Sequence, residues 1–157
     1  MILYDSEFLN DSEIKYMLNL WDDDISYFSR DVISFYAIDF KINTELDISI
    51  VHNNSFKREM VDKMRLQKYN ETFTQISDFH GHVNLHNYIL FLNDGFTGGE
   101  LEFENGMTIK PKRGSLVYFN NNERHRVLPC IGDRYVFTVL GDYELNLTFN
   151  KREKSII

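Results

Sequence analysis

The spacing of apolar residues changes character along this 157-residue chain. The opening MILYDSEFL reads as a strand. Over NDSEIKYMLNLW the spacing turns helical, with Ile14, Met17, Leu18 and Trp21 at i, i+3, i+4 and i+7 on one stripe. Asn10 is placed to cap that helix, and Glu13 three residues on completes a capping box. DVISFYAIDFKI and LDISIVH are rich in β-branched and aromatic residues and are predicted strands. SFKREMVDKMRLQKY returns to helical spacing through Phe56, Met60, Val61 and Met64, which predicts a second helix whose methionines fill core gaps. From Tyr69 the pattern becomes short runs of period two: TFTQISDFH, YILFLN, GELEFE, MTIKPKRGSLVYF, RHRVLP and RYVFTVL. The turn signals NDG, TGG, ENG, KRG, NNNE and IGD separate them. Thr97–Gly99 fits a tight turn needing positive φ, and no helix follows it to make a phosphate loop. Six or seven closely spaced strands after two helices predict a mainly β sandwich or jelly roll, with helices on one side.

Composition refines this picture. With 43% apolar and 15% aromatic residues, residues 1–157 are expected to form one globular domain. The net charge of −7 and the scattered lysines and arginines argue against nucleic acid or an anionic membrane as partner. No apolar run reaches the roughly 18 residues of a membrane span, and no basic-then-apolar leader opens the chain. The single cysteine, Cys130, excludes an internal disulfide, so a cytoplasmic location is expected.

Chemistry concentrates in ISDFHGHVNLHN, Ile76–Asn87, which holds three of the five histidines. On a strand, Asp78, His80 and His82 share one face at spacings of about 6.6 Å, close enough for two of them to meet one ion. A third ligand must come from elsewhere, and His125, at the start of RHRVLP, is the natural supplier. His86 has the same parity but falls at a turn, and is read as exposed or as an outer neighbour. His52 stands alone and is read as structural. Nine residues after His125, Arg134 opens the apolar run RYVFTVL. A buried guanidinium is costly unless it meets an anion, and a carboxylate is its natural bidentate partner. A metal with an open position and an arginine awaiting a carboxylate together describe a site for a small dicarboxylic co-substrate.

The segment Tyr88–Leu140 resembles the C-terminal half of the prolyl 4-hydroxylase-like branch of the Fe(II)/2-oxoglutarate dioxygenases. The motifs that carry the resemblance are Phe91-Leu92-Asn93, Gly98-Gly99-Glu100, Pro111 through Phe119, His125 with Pro129, and Arg134-Tyr135. The resemblance implies a double-stranded β-helix (jelly-roll) core with an N-terminal strand and two supporting helices. It also implies Fe(II), 2-oxoglutarate and O2, with His125 as the distal metal ligand and Arg134 pairing the far carboxylate of 2-oxoglutarate. Tyr69 and Thr138 become lesser candidates for contacts with that co-substrate. Phe91 stands where the family often has Tyr, so one hydrogen bond to the co-substrate is missing.

The family writes its first two ligands as H-x-D, and this chain contains no H-x-D. Counted from Tyr69, the two positions fall on Asp78 and His80, which gives a triad of Asp78, His80 and His125. A shift of two residues gives His80, His82 and His125. A third register, His82 with Asn84, puts an amide where a carboxylate belongs. The activity implied is hydroxylation of an unidentified substrate, either a prolyl or other amino-acid side chain in a peptide or a small molecule. Two other readings stand beside it: a non-catalytic binding module with a decayed metal site, and a cupin-type metalloenzyme that ignores 2-oxoglutarate.

Overall fold

The structure is a computed structural model and describes residues 1–21, 27–28, 36–40, 63–71, 78–81, 85–142 and 155–156. Strand β1 (Ile2–Asp5) leads into α1 (Asp11–Asn19). The capping box forms as expected: Glu13 N donates to Asn10 Oδ1 at 2.9 Å and Asn10 N to Glu13 Oε1 at 3.1 Å. Such a cap is worth about 1 kcal/mol. Ile14 and Met17 are buried, and Leu18 and Trp21 pack at the margin of the same cluster.

The remaining elements are strands: β2 (Tyr27–Phe28), β3 (Tyr36–Phe40), β4 (Lys63–Tyr69), β5 (His86–Phe91), β6 (Thr97–Gly98), β7 (Leu101–Phe103), β8 (Thr108–Ile109), β9 (Leu116–Asn120), β10 (His125–Val127), β11 (Cys130–Ile131), β12 (Arg134–Gly141) and β13 (Ser155–Ile156). Eight of them form one antiparallel sheet in the order β13-β1-β9-β5-β12-β4-β3-β2, and two small sheets, β10-β7-β8 and β11-β6, complete a jelly roll. Among the described residues no helix is long and apolar enough to cross a membrane.

Period-two alternation decides which side chains enter the barrel. On β5, Tyr88 and Leu90 join the cluster against α1, while Ile89 and Phe91 join the cluster between the sheets. On β9, Leu116 and Tyr118 separate in the same way from Val117 and Phe119. The large sheet is thus buried on both faces, which is why its strands read as unbroken apolar runs. The register places Arg134, Val136 and Thr138 of β12 opposite Tyr69, Gln67 and Arg65 of β4, so Arg134 and Tyr69 enter the barrel with Val136.

Two expectations need correction. Residues 63–69 are a strand and not the end of a second helix; the part of that segment before Lys63 lies outside the described residues. Leu66 packs on the α1 side and Tyr69 between the sheets, and pairing with β3 and β12 overrides the helical spacing of the methionines. His86 is not in a turn. It opens β5, stacks on Tyr118 and shares a 2.7 Å hydrogen bond with its hydroxyl. The predicted strand LDISIVH with His52, and all of TFTQIS, lie outside the described residues.

Candidate metal centre

His80 and His125 are brought face to face by the backbone. They form an antiparallel bridge, with His80 N donating to His125 O and His125 N to His80 O, both at 2.9 Å. Directly opposed residues project to the same side, and the two ring centroids lie 4.6 Å apart. His125 is 3% exposed and packs against Phe119 at 4.6 Å and Phe103 at 6.3 Å.

The second nitrogen of each ring explains what the pair can do. His80 Nδ1 lies 3.3 Å from the Asp78 carbonyl, and His125 Nδ1 lies 3.2 Å from the Glu123 carbonyl. A carbonyl only accepts, so each Nδ1 carries the proton and each Nε2 keeps its lone pair. This outer hydrogen bond fixes ring orientation in metal-ligating histidines. Burial also pushes the His80 imidazole below its ordinary pKa, with the Asp78 carbonyl opposing and Arg124 adding to the shift. The neutral, ligating form is therefore favoured.

The structure does not bring Asp78 into this group. Its side chain is exposed at a bend, and it offers His80 its backbone carbonyl rather than its carboxylate. The strand expected to carry Asp78, His80 and His82 on one face does not extend back to Asp78, because within residues 78–81 only His80 makes a bridge. Among the described residues, no three His, Cys, Asp or Glu side chains gather as a metal site. His82 and Asn84 lie outside the described residues.

Among the described residues Arg134 is the largest fully buried side chain, at 1% exposure. Its Nε donates to the Gly99 carbonyl at 3.0 Å, and its guanidinium lies 5.1 Å from the Tyr69 ring and 5.4 Å from the Phe91 ring. Nη2 is buried and has no hydrogen-bond partner among the described residues. Burial lowers the pKa of Arg134, with Tyr69 opposing, and pushes the Tyr69 phenol up to about 12. A buried cation with an idle donor fits an incoming anion. Thr138 is only half-buried, and its hydroxyl lies 3.4 Å from both the Arg65 carbonyl and Gln67 Oε1.

Two inward polar residues escaped the sequence reading. Gln67 was hidden because its segment was read as helix. Asn87 is legible in principle, since it stands in strand parity with Ile89 and Phe91.

No curated protein matches the chain in sequence. Solved structures do match in fold. A Pseudomonas putida prolyl-4-hydroxylase aligns with TM-score 0.68 at 15% identity over 89% of this chain and 91% of its own. A Trichoplax adhaerens prolyl hydroxylase in complex with a hypoxia inducible factor peptide fragment aligns with TM-score 0.69 at 16% identity over 97% and 84%. The viral collagen prolyl hydroxylase of Paramecium Bursaria Chlorella virus-1, as a 2OG complex, gives 0.62 at 17% over 88% and 93%. The sequence profile of one family spans residues 62–140, half of the chain from β4 through most of β12, and the chain therefore belongs to the 2OG-Fe(II) oxygenase superfamily.

Proposed function

We propose that residues 1–157 are a single-domain hydroxylase using Fe(II), 2-oxoglutarate and O2. The observation that carries the reading is the buried, idle Nη2 of Arg134 in a barrel that also holds two opposed imidazoles whose Nδ1 atoms each face a backbone carbonyl. His80 and His125 would hold the metal through Nε2, and bound iron supplies the activation of O2 that the side chains cannot. Arg134 would pair the distal carboxylate of 2-oxoglutarate, with Tyr69 walling that end and Thr138 bordering it. The fold-related hydroxylases crystallised with 2OG and with a peptide fragment support a small co-substrate and a peptide substrate.

The third metal ligand is Asp78 or His82. The exposure of the Asp78 carboxylate favours His82. His82→Ala is then expected to weaken iron binding strongly while Asp78→Ala leaves it nearly unchanged. Isothermal titration with Fe(II) under argon separates them, and two harmless substitutions would contradict the site.

The lack of a complete three-donor group among the described residues favours one rival, a binding module whose metal site has decayed. Anaerobic addition of Fe(II) and 2-oxoglutarate distinguishes the two. The hydroxylase reading expects a weak visible charge-transfer band, then succinate after air is admitted. A flat spectrum and no succinate would favour the module.

Gly99 offers a third check. Its φ is +74°, and an added Cβ would lie 3.0 Å from Arg134 Cδ and 3.2 Å from Nε. Gly99→Ala is expected to strain the turn and displace the guanidinium, weakening 2-oxoglutarate binding about 10-fold, the effect of one lost charged hydrogen bond. Binding calorimetry with Mn(II) in place of iron measures this, and unchanged affinity would separate Arg134 from the co-substrate.

A further inference from the structure

One buried inward-facing group has no part in the chemistry above. Asn87 begins the inner row of β5 and is 1% exposed. It stands directly opposite Phe119, and its Nδ2 donates to the Phe119 carbonyl at 3.3 Å. That bond fixes the amide, because the flipped side chain would set two oxygens against each other. The other end is the acceptor Oδ1, which is buried with no hydrogen-bond partner among the described residues. Buried acceptors left without a donor are costly and rare in protein interiors.

Its surroundings place it beside the imidazole pair. The Phe119 ring lies 4.6 Å from His125, and His125 lies 4.6 Å from His80. Along the sheet Asn87 is far from Arg134: Leu140 of β12 faces Asn87, whereas Val136 faces Phe91. At neutral pH 2-oxoglutarate presents two carboxylates and a keto oxygen, all acceptors, so it cannot satisfy Oδ1. The missing partner is a donor.

We propose that Asn87 is a specificity-determining residue whose Oδ1 accepts a hydrogen bond from an N–H or O–H of the primary substrate. The inference rests on the hydroxylase reading and narrows its substrate class. The substrate carries an amide N–H or a hydroxyl beside the C–H presented to the metal. A prolyl ring within a peptide has no N–H, so a peptide would use the amide of a neighbouring residue.

Water on the metal offers the same donor chemistry, and the test separates the two sources. Mn(II) affinity of the full chain is measured first, with 2-oxoglutarate present. Paramagnetic relaxation of the methyl protons is then compared for N-methylacetamide and N,N-dimethylacetamide, which share a carbonyl and differ in the N–H. Bulk-water relaxivity is read in parallel. The wild-type protein is expected to relax N-methylacetamide roughly five-fold more strongly, the effect of one neutral hydrogen bond. Asn87→Leu should erase that preference and leave water relaxivity unchanged. Equal relaxation of the two probes in the wild type overturns the proposal without any variant. A preference surviving in Asn87→Leu also overturns it, and a fall in water relaxivity in that variant assigns the donor to metal-bound water instead. Failure of Mn(II) to bind at all overturns the metal reading and this inference with it.

Discussion

His125→Ala is expected to abolish divalent-metal binding while leaving the fold intact. Its ring centroid stands 4.6 Å from that of His80, and its Nδ1 is already committed to the Glu123 carbonyl. Losing an outer hydrogen-bond partner of a metal ligand costs roughly 10–100-fold in affinity, and losing the ligand itself costs more. The fold should survive because β10 is held to β7 by main-chain pairing at His125↔Phe103, Arg126↔Glu102 and Val127↔Leu101. The cavity beside Phe119 and Phe103 costs about 2–4 kcal/mol of stability. His86→Ala is the matched control, since that ring stacks on Tyr118 on the α1 side of the sheet and should leave metal affinity unchanged. Calorimetric titration with Mn(II), together with a thermal melt, checks both. Retained Mn(II) affinity in His125→Ala would remove His125 from the site.

Arg134→Met is expected to abolish stabilisation by 2-oxoglutarate without destabilising the ligand-free protein. In the free protein the Nη2 of Arg134 is buried and idle, so part of the charge is uncompensated. Replacing such a group with an apolar side chain of similar length is often neutral or stabilising. With co-substrate the balance reverses, because truncating one partner of a buried charge pair costs about 2–5 kcal/mol, on the order of 100-fold or more in affinity. Wild-type protein with Mn(II) should therefore melt higher as 2-oxoglutarate is added, by about 2.7 kcal/mol at a hundred times its dissociation constant. Arg134→Met should show no such shift. A variant that still responds to 2-oxoglutarate would remove Arg134 from the co-substrate site, and a wild-type protein that never responds would leave the cupin-type reading.

Much of the fold was legible because the central strands β5 and β9 are buried on both faces and bounded by clear turns. YILFL and LVYF read as continuous apolar runs, and the structure divides them alternately between two cores. The positive φ expected at Thr97–Gly99 is present, with Gly98 at +76° and a hypothetical Cβ there only 2.2 Å from the Pro129 carbonyl oxygen, although Thr97–Gly98 pair with Cys130–Ile131 as strand β6 and do not stand as a free turn. Residues 63–69 misled because Met60, Val61 and Met64 fall at helical spacing, while their strand character comes from β3 and β12, partners distant in sequence. The histidine pair was partly legible. Spacing and the His125 motif pointed to both rings, but no local pattern announces that residues 80 and 125 oppose each other across a single bridge. Period-two spacing put Asp78 on one face with His80, and spacing alone does not specify where a chain bends.

The central claim is that His80 and His125 grip one divalent metal through their Nε2 atoms. Soaking crystals with Zn(II) and recording anomalous diffraction at the zinc edge tests it most directly. The account predicts one strong peak at about 2.0–2.1 Å from both Nε2 atoms. A peak elsewhere, or two rings still in contact with no metal bound between them, would contradict it.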